Sequence, residues 1–99
     1  MTPSTLFKAI HRATGLTREQ ITSRSRKIEL VYARMIVVHY LDTSGMKTKD
    51  IAKCVNRDRS TIVYTSGKYK DEYRYNRIFR DMADRVKEWL DEKIFKKTI

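Results

Sequence analysis

The sequence predicts an all-α fold, a compact bundle of about six helices. Three observations predict it. Gly and Pro number only three and one in 99 residues, too few for the turns of a many-stranded sheet. Apolar residues make up 40% of the chain, enough for a modest core and against wholesale disorder. Those residues recur mostly at steps of three and four, the period of a helix face. The length suits a single domain over residues 1–99, near the modal size for one core.

The elements follow in order. The first helix opens at Pro3-Ser4, with Ser4 as candidate N-cap. Leu6, Phe7, Ile10 and Ala13 follow at helical spacing, and Gly15 ends it. Thr17-Arg18-Glu19-Gln20 reads as a capping box that starts a short second helix through Ile21. Ser23-Arg24-Ser25-Arg26-Lys27 is a basic, hydroxyl-rich connection. Ile28 to Leu41, IELVYARMIVVHYL, is apolar nearly all round and reads as a buried central helix; its 14 residues exceed a usual strand. Ile28, Tyr32, Met35 and His39 share one face of it. Thr43-Ser44-Gly45 breaks the chain. A short helix then runs from Thr48, its candidate cap, to Val55, with Ile51, Ala52 and Val55 inward. Asn56 interrupts. The next helix starts near Asp58 and runs to Tyr69, with Ile62, Thr65 or Ser66, and Tyr69 toward the core. Gly67 inside it costs about 1 kcal/mol relative to Ala, in exchange for close packing or as a mark of fraying. A last helix from about Asn76 to Phe95 carries the stripe Phe79, Met82, Ala83, Val86, Trp89, Leu90 and Ile94, with Lys96 and Lys97 suited to its C-terminal dipole.

The net charge of +10 points to a polyanionic partner. The basic residues are interleaved with acids and apolar side chains, so they do not form a disordered basic tail. Cys54 is the single cysteine, which excludes a disulfide framework within one chain. No signal peptide is expected, and no run approaches the ~18 apolar residues of a membrane span. A reducing cytoplasm, without a membrane partner, is the expected setting.

The helices Thr48–Val55 and Asp58–Tyr69 are joined by about three residues, the spacing of a helix-turn-helix over about 48–69. The second opens on Asn56–Tyr64, NRDRSTIVY, where five polar positions give way abruptly to apolar ones. In this motif the first turn of the second helix meets base edges in the major groove. Arg59 suits guanine O6 and N7. Asp58 suits cytosine N4. Ser60 and Thr61 bond either way, and the Thr61 methyl also fits a thymine methyl. The free amides at the helix start favour a phosphate. The plainer alternative is that Asp58 or Ser60 caps the helix while Arg57 and Arg59 are solvated.

The sequence resembles the C-terminal DNA-binding domain of the bacterial replication initiator DnaA. That family carries G-G-R-D-H-T-T-V at its recognition helix, where Asn56-Arg57-Asp58-Arg59-Ser60-Thr61-Ile62 stands here. Its S-K-R-R basic loop is matched by Ser23-Arg24-Ser25-Arg26, its Arg-x-Ile/Met pattern by Arg34-Met35-Ile36, and its Ile-small pair by Ile51-Ala52. The agreement runs from about Ile10 to Tyr69. The resemblance implies base reading by Asp58, Arg59, Ser60 and Thr61, and minor-groove insertion of Arg26. It places Arg34, Arg57 and Tyr64 near the DNA backbone. Arg24 and Lys27 of the basic loop, with Lys47, Lys49 and Lys68, are added as phosphate partners by charge and placement. This chain departs from the family in lacking one glycine of the pair, in having Asn56 for the other, Arg59 for His and Ser60 for the first Thr. Arg in place of His favours guanine. No G-x-x-x-x-G-K-[ST] phosphate loop occurs in the 99 residues, so neither a bound nucleotide nor any other cofactor is expected, and the chain is expected to bind, mark, block or recruit.

No enzyme constellation emerges. His11 and His39 have no Cys partner at ligand spacing, so no metal is expected; His39 is assigned a place beside Tyr32 and Met35. Cys54 reads as a small core residue. Asp81, Asp84, Glu88 and Asp91 alternate with Arg80, Arg85 and Lys87 as outer-face ion pairs. Tyr69, Tyr73 and Tyr75, with Lys70 and Arg74, could stack on unpaired bases or edge the core. The leading reading is a sequence-specific duplex DNA binder in the control of replication or transcription. The alternatives are a basic modulator, phage- or plasmid-borne, of an acidic partner such as a host initiator, and a single-strand binder. Oligomeric state stays open between a monomer, as the resemblance implies, and a dimer through Trp89, Leu90, Ile94 and Phe95.

Overall fold

Thr2, not Ser4, caps the first helix: its hydroxyl accepts from the Thr5 amide at 3.3 Å. The cap lies two residues earlier because Pro3, with its fixed φ and missing N–H, suits the first helical position. In this computed structural model, the backbone is described for residues 2–98 and the side chains for residues 2–91. Ile94, Phe95, Lys96 and Lys97, assigned above to the core stripe, a dimer surface or the helix dipole, have side chains outside the described residues. Six helices follow in order: α1 (Pro3–Thr14), α2 (Arg18–Thr22), α3 (Ile28–Thr43), α4 (Thr48–Val55), α5 (Arg59–Tyr75) and α6 (Arg77–Thr98). No strand occurs among the described residues.

Capping explains most boundaries. Gly15 takes the left-handed conformation at φ 80° that closes α1. The Thr17–Gln20 box is complete: the Thr17 hydroxyl accepts from the Gln20 amide at 3.1 Å, and Gln20 Oε1 accepts from the Thr17 amide at 2.9 Å. At α4 the expected Thr48 cap is not used. Lys47 holds the cap position and no side chain caps that start. Asn76 serves two helices, its amide donating to the Glu72 carbonyl at the end of α5 while its Oδ1 accepts from Phe79 at the start of α6.

The core is assembled around α3. Leu30, Ala33, Ile36, Val37, Val38 and Leu41 are buried on several faces of it, which is why no single apolar stripe is visible there. Leu6, Phe7 and Ile10 of α1, Ile21 of α2, and Ile51, Ala52 and Val55 of α4 join them. From α6 come Phe79, Met82, Ala83, Val86 and Leu90. Each fully buried Leu, Ile or Phe contributes about 1.5–3 kcal/mol. Trp89 departs from the expected stripe and is exposed, as is Ile28 at the open start of α3.

The fifth helix is longer than its polar composition suggests. It runs to Tyr75 because Tyr69 and Tyr73, four residues apart, both pack inward. The Tyr69 ring stacks on His39 at 3.6 Å and meets Phe79 edge-on at 5.3 Å. The Tyr73 hydroxyl donates to Asp84 at 2.6 Å. So the stacking partner of His39 comes from α5, not from its own helix as expected. Gly67 fits neither expected explanation: a Cβ there would meet nothing within 4 Å, and the helix continues past it unbroken.

Candidate nucleic-acid interface

The candidate interface is built from three segments: the basic loop Ser23–Lys27, the α4–α5 turn and the first turns of α5. The turn needs one residue in left-handed conformation. Asn56 supplies it at φ 57°, the only positive φ on a non-glycine among the described residues; Asn tolerates that region better than other side chains. Its side-chain amide also donates to the Thr22 carbonyl at 3.2 Å.

Two arginines then tie the loop to the turn. Arg34 is buried, at 8% exposure. Its Nε donates to the Ile21 carbonyl at 2.6 Å, and its Nη2 to the Ser23 and Ser25 carbonyls at 2.9 and 2.8 Å. At this position, for which the resemblance implies a place near the DNA backbone, the guanidinium faces inward because the loop carbonyls, which have no helical partners, need donors. Burial and the nearby Arg57 charge both lower its pKa from the ordinary arginine value. Arg57 approaches the same loop from the turn, with Nη2 donating to the Ser23 carbonyl at 2.6 Å and Nη1 to the Asn56 carbonyl at 2.8 Å. It is half-buried, so it too is first a clamp. One carbonyl, that of Ser23, thus receives both guanidinium groups.

Asp58 caps α5. Its Oδ1 accepts from the Thr61 amide at 2.8 Å and from the Ser60 hydroxyl at 3.0 Å. Hydrogen bonds from Thr61, and then from Ser60, hold its carboxyl below the ordinary carboxylate range. The plainer expectation for Asp58 is met in this respect: one carboxylate oxygen is committed to the helix. Arg59, Ser60 and Thr61 stand exposed around the cap, and Arg24, Arg26 and Lys27 are exposed on the loop. Lys47 and Lys49 are exposed at the start of α4. Lys27 and Lys47 occupy the cap positions of α3 and α4, and neither helix start has a side-chain cap. A cation there opposes the helix dipole; an anion outside the protein would relieve that conflict. Tyr64 is exposed, with Lys68 Nζ over its ring at 4.6 Å from the centroid.

With the geometry in place, comparison with known proteins decides the family. Residues 3–68 match the family described as bacterial dnaA protein helix-turn-helix. The chain belongs to the DnaA helix-turn-helix family. No curated protein is significantly similar to it. The DnaA family is a DNA-binding one, and α4 and α5 form its helix-turn-helix pair here. The DnaA-type match ends at residue 68, but the fold does not: Phe79, Val86 and Leu90 of α6 belong to the same core as Leu6 and Ile36.

The alternative of base stacking on tyrosines loses Tyr69 and Tyr73 to the interior packing described above, and only Tyr75 of that set is exposed. No helix among the described residues is long and apolar enough to cross a membrane. Sequence reasoning passed over one exposed residue of α5, Val63, which is 63% exposed. The signal was present: a β-branched apolar residue four positions after Arg59, off the core stripe that runs through Ile62 and Tyr69.

Proposed function

We propose that this chain binds double-stranded DNA in a sequence-specific manner and acts in the cytoplasm on replication or transcription. The first turns of α5 enter the major groove. Arg59 pairs with guanine, Ser60 and Thr61 face neighbouring bases, and Asp58 offers its second carboxylate oxygen to a cytosine amine. Arg26 enters the adjacent minor groove. Arg24, Lys27, Lys47, Lys49, Tyr64 and Lys68 contact phosphates and fix the register.

One observation carries this reading. The exposed Arg59–Thr61 cluster opens a helix of a DNA-binding family fold and is held beside the basic loop by the Arg57–Ser23 hydrogen bond at 2.6 Å. A single copy holds both segments, which supports a monomer reading one box.

The test is selection of bound duplexes from a random pool by the purified protein. A single enriched motif is expected, with guanine at one strongly preferred position. On that motif Arg59→Ala should cost about 1–3 kcal/mol and leave non-specific affinity nearly unchanged. A pool that returns no motif, or a loss of equal size on every duplex, overturns the reading.

A further inference from the structure

We propose that Val63 is a specificity residue, and that it reads a thymine methyl group one turn beyond the bases met by Arg59 and Ser60. The inference rests on the duplex-binding reading above and deepens it.

The argument begins with an exposed apolar side chain. Val63 is 63% exposed, although its two sequence neighbours are fully accounted for: Ile62 is buried in the core and Tyr64 carries Lys68 on its ring. A single exposed valine on an ordinary surface needs no explanation. This one lies on the helix that opens with the polar cluster. It is four residues after Arg59 and three after Ser60, so it falls on the same face one turn along. Gly67 follows four residues later, and the space above it is open to at least 4 Å. Beyond Val63, therefore, no side chain at that position holds the helix axis away from a partner.

Valine is an unfavourable choice for this place on local grounds. It is a weaker helix former than Ala, Leu, Lys or Glu, since its branched Cβ loses rotamer freedom. Its isopropyl group makes no hydrogen bond and, exposed as it is, is only partly removed from water. What it offers outward is a short, stiff apolar surface. In the major groove the base edge that matches such a surface is the C5-methyl of thymine. Phosphates and the other base edges call for donors or acceptors, which Val63 lacks.

The test uses the duplex motif that the wild-type protein selects. Each thymine of the motif is replaced in turn by deoxyuridine, which differs only by the missing methyl, and affinities are measured for the wild type and Val63→Ala. At one thymine the wild type should lose roughly three- to fivefold, the worth of one buried methyl. Val63→Ala should start weaker by a similar factor on the intact motif and show no further loss at that position. Its melting temperature should not fall, because the site is exposed and Ala favours a helix. Equal deoxyuridine losses for both proteins at every thymine overturn the inference, as does unchanged affinity of Val63→Ala on the intact motif. A wild type that selects no motif at all overturns the duplex-binding reading first, and that outcome is distinct from both.

Discussion

Arg34 turns a residue that reads as a DNA contact into a strut. Its donors face the carbonyls of Ile21, Ser23 and Ser25, so Arg34→Ala leaves buried acceptors without partners. A loss of about 2–4 kcal/mol is expected in urea unfolding, from hydrogen bonds to a charged group and unsatisfied carbonyls together. Arg34→Lys should restore little, because one ammonium cannot span the planar fork. The sequence showed an arginine at a family position but not which way it points; direction depends on where loop carbonyls come to lie, which no local pattern encodes. His39 gives a second test at this scale. Burial against Tyr69 lowers its pKa from 6.5, and Asp42 only partly opposes that. The native state therefore takes up its proton later than the unfolded chain as pH falls. The contribution is whole above about pH 6.5, where both states are neutral, and is lost as pH falls through the depressed native value. Thermal melts between neutral pH and pH 5 should show this slope, and His39→Phe should flatten it.

At the scale of elements, a capping box located α2, an apolar run of more than strand length located α3 and periodicity located the other helices, while ends were set by caps that sequence reading assigned in part. Thr17–Gln20 and Gly15 were legible because each is a local motif with its partner within a few residues. The Thr2 and Lys47 cap positions were not: Pro3 moved the first, and the second has no capping side chain to betray it. The end of α5 was misplaced for a different reason. Its last turns are polar in composition and owe their place to Tyr69 and Tyr73, whose partners His39, Phe79 and Asp84 come from other helices. Two substitutions on α5 probe this element in opposite directions. Gly67→Ala should raise stability by about 1 kcal/mol through propensity alone, since a Cβ meets nothing and no positive φ is required. Asp58→Ala should lower stability by removing the cap. For the wild type, whose Asp58 carboxyl is held low, that cap stabilisation is present above the ordinary carboxylate pKa of 3.8 and is lost as pH falls below it. Denaturant midpoints at pH 7 and pH 3 should bring wild type and Asp58→Ala together at the lower pH.

Across the whole molecule, a charge of +10 sets how binding answers to salt. Each neutralised phosphate adds about 0.9 to the slope of log affinity against log salt. Lys47→Ala and Lys68→Ala should each reduce that slope by about 1 on every duplex tested, with no change of preferred motif. Arg34→Ala should instead weaken binding and blur the motif, because it loosens the loop that carries Arg26. Composition and charge were sufficient to expect a helical, polyanion-seeking chain, since both depend on sums over residues. The helix-turn-helix was legible from spacing, but the role of the basic loop beside it only through family resemblance, because the contacts that join them span tens of residues: Arg57 to Ser23 and Asn56 to Thr22. The Ser23 carbonyl, gripped from α3 and from the turn at once, makes the domain a caliper with its jaws already set. In the proposed complex, the backbone segments that carry Arg26 and Arg59 are already tied together through Ser23, so less ordering entropy should remain to be lost on contact. On that proposal accommodation should fall to the DNA: helices whose adjoining grooves already match that gauge should bind without deformation, and stiffer ones of the wrong width should carry an elastic cost at base pairs no side chain touches.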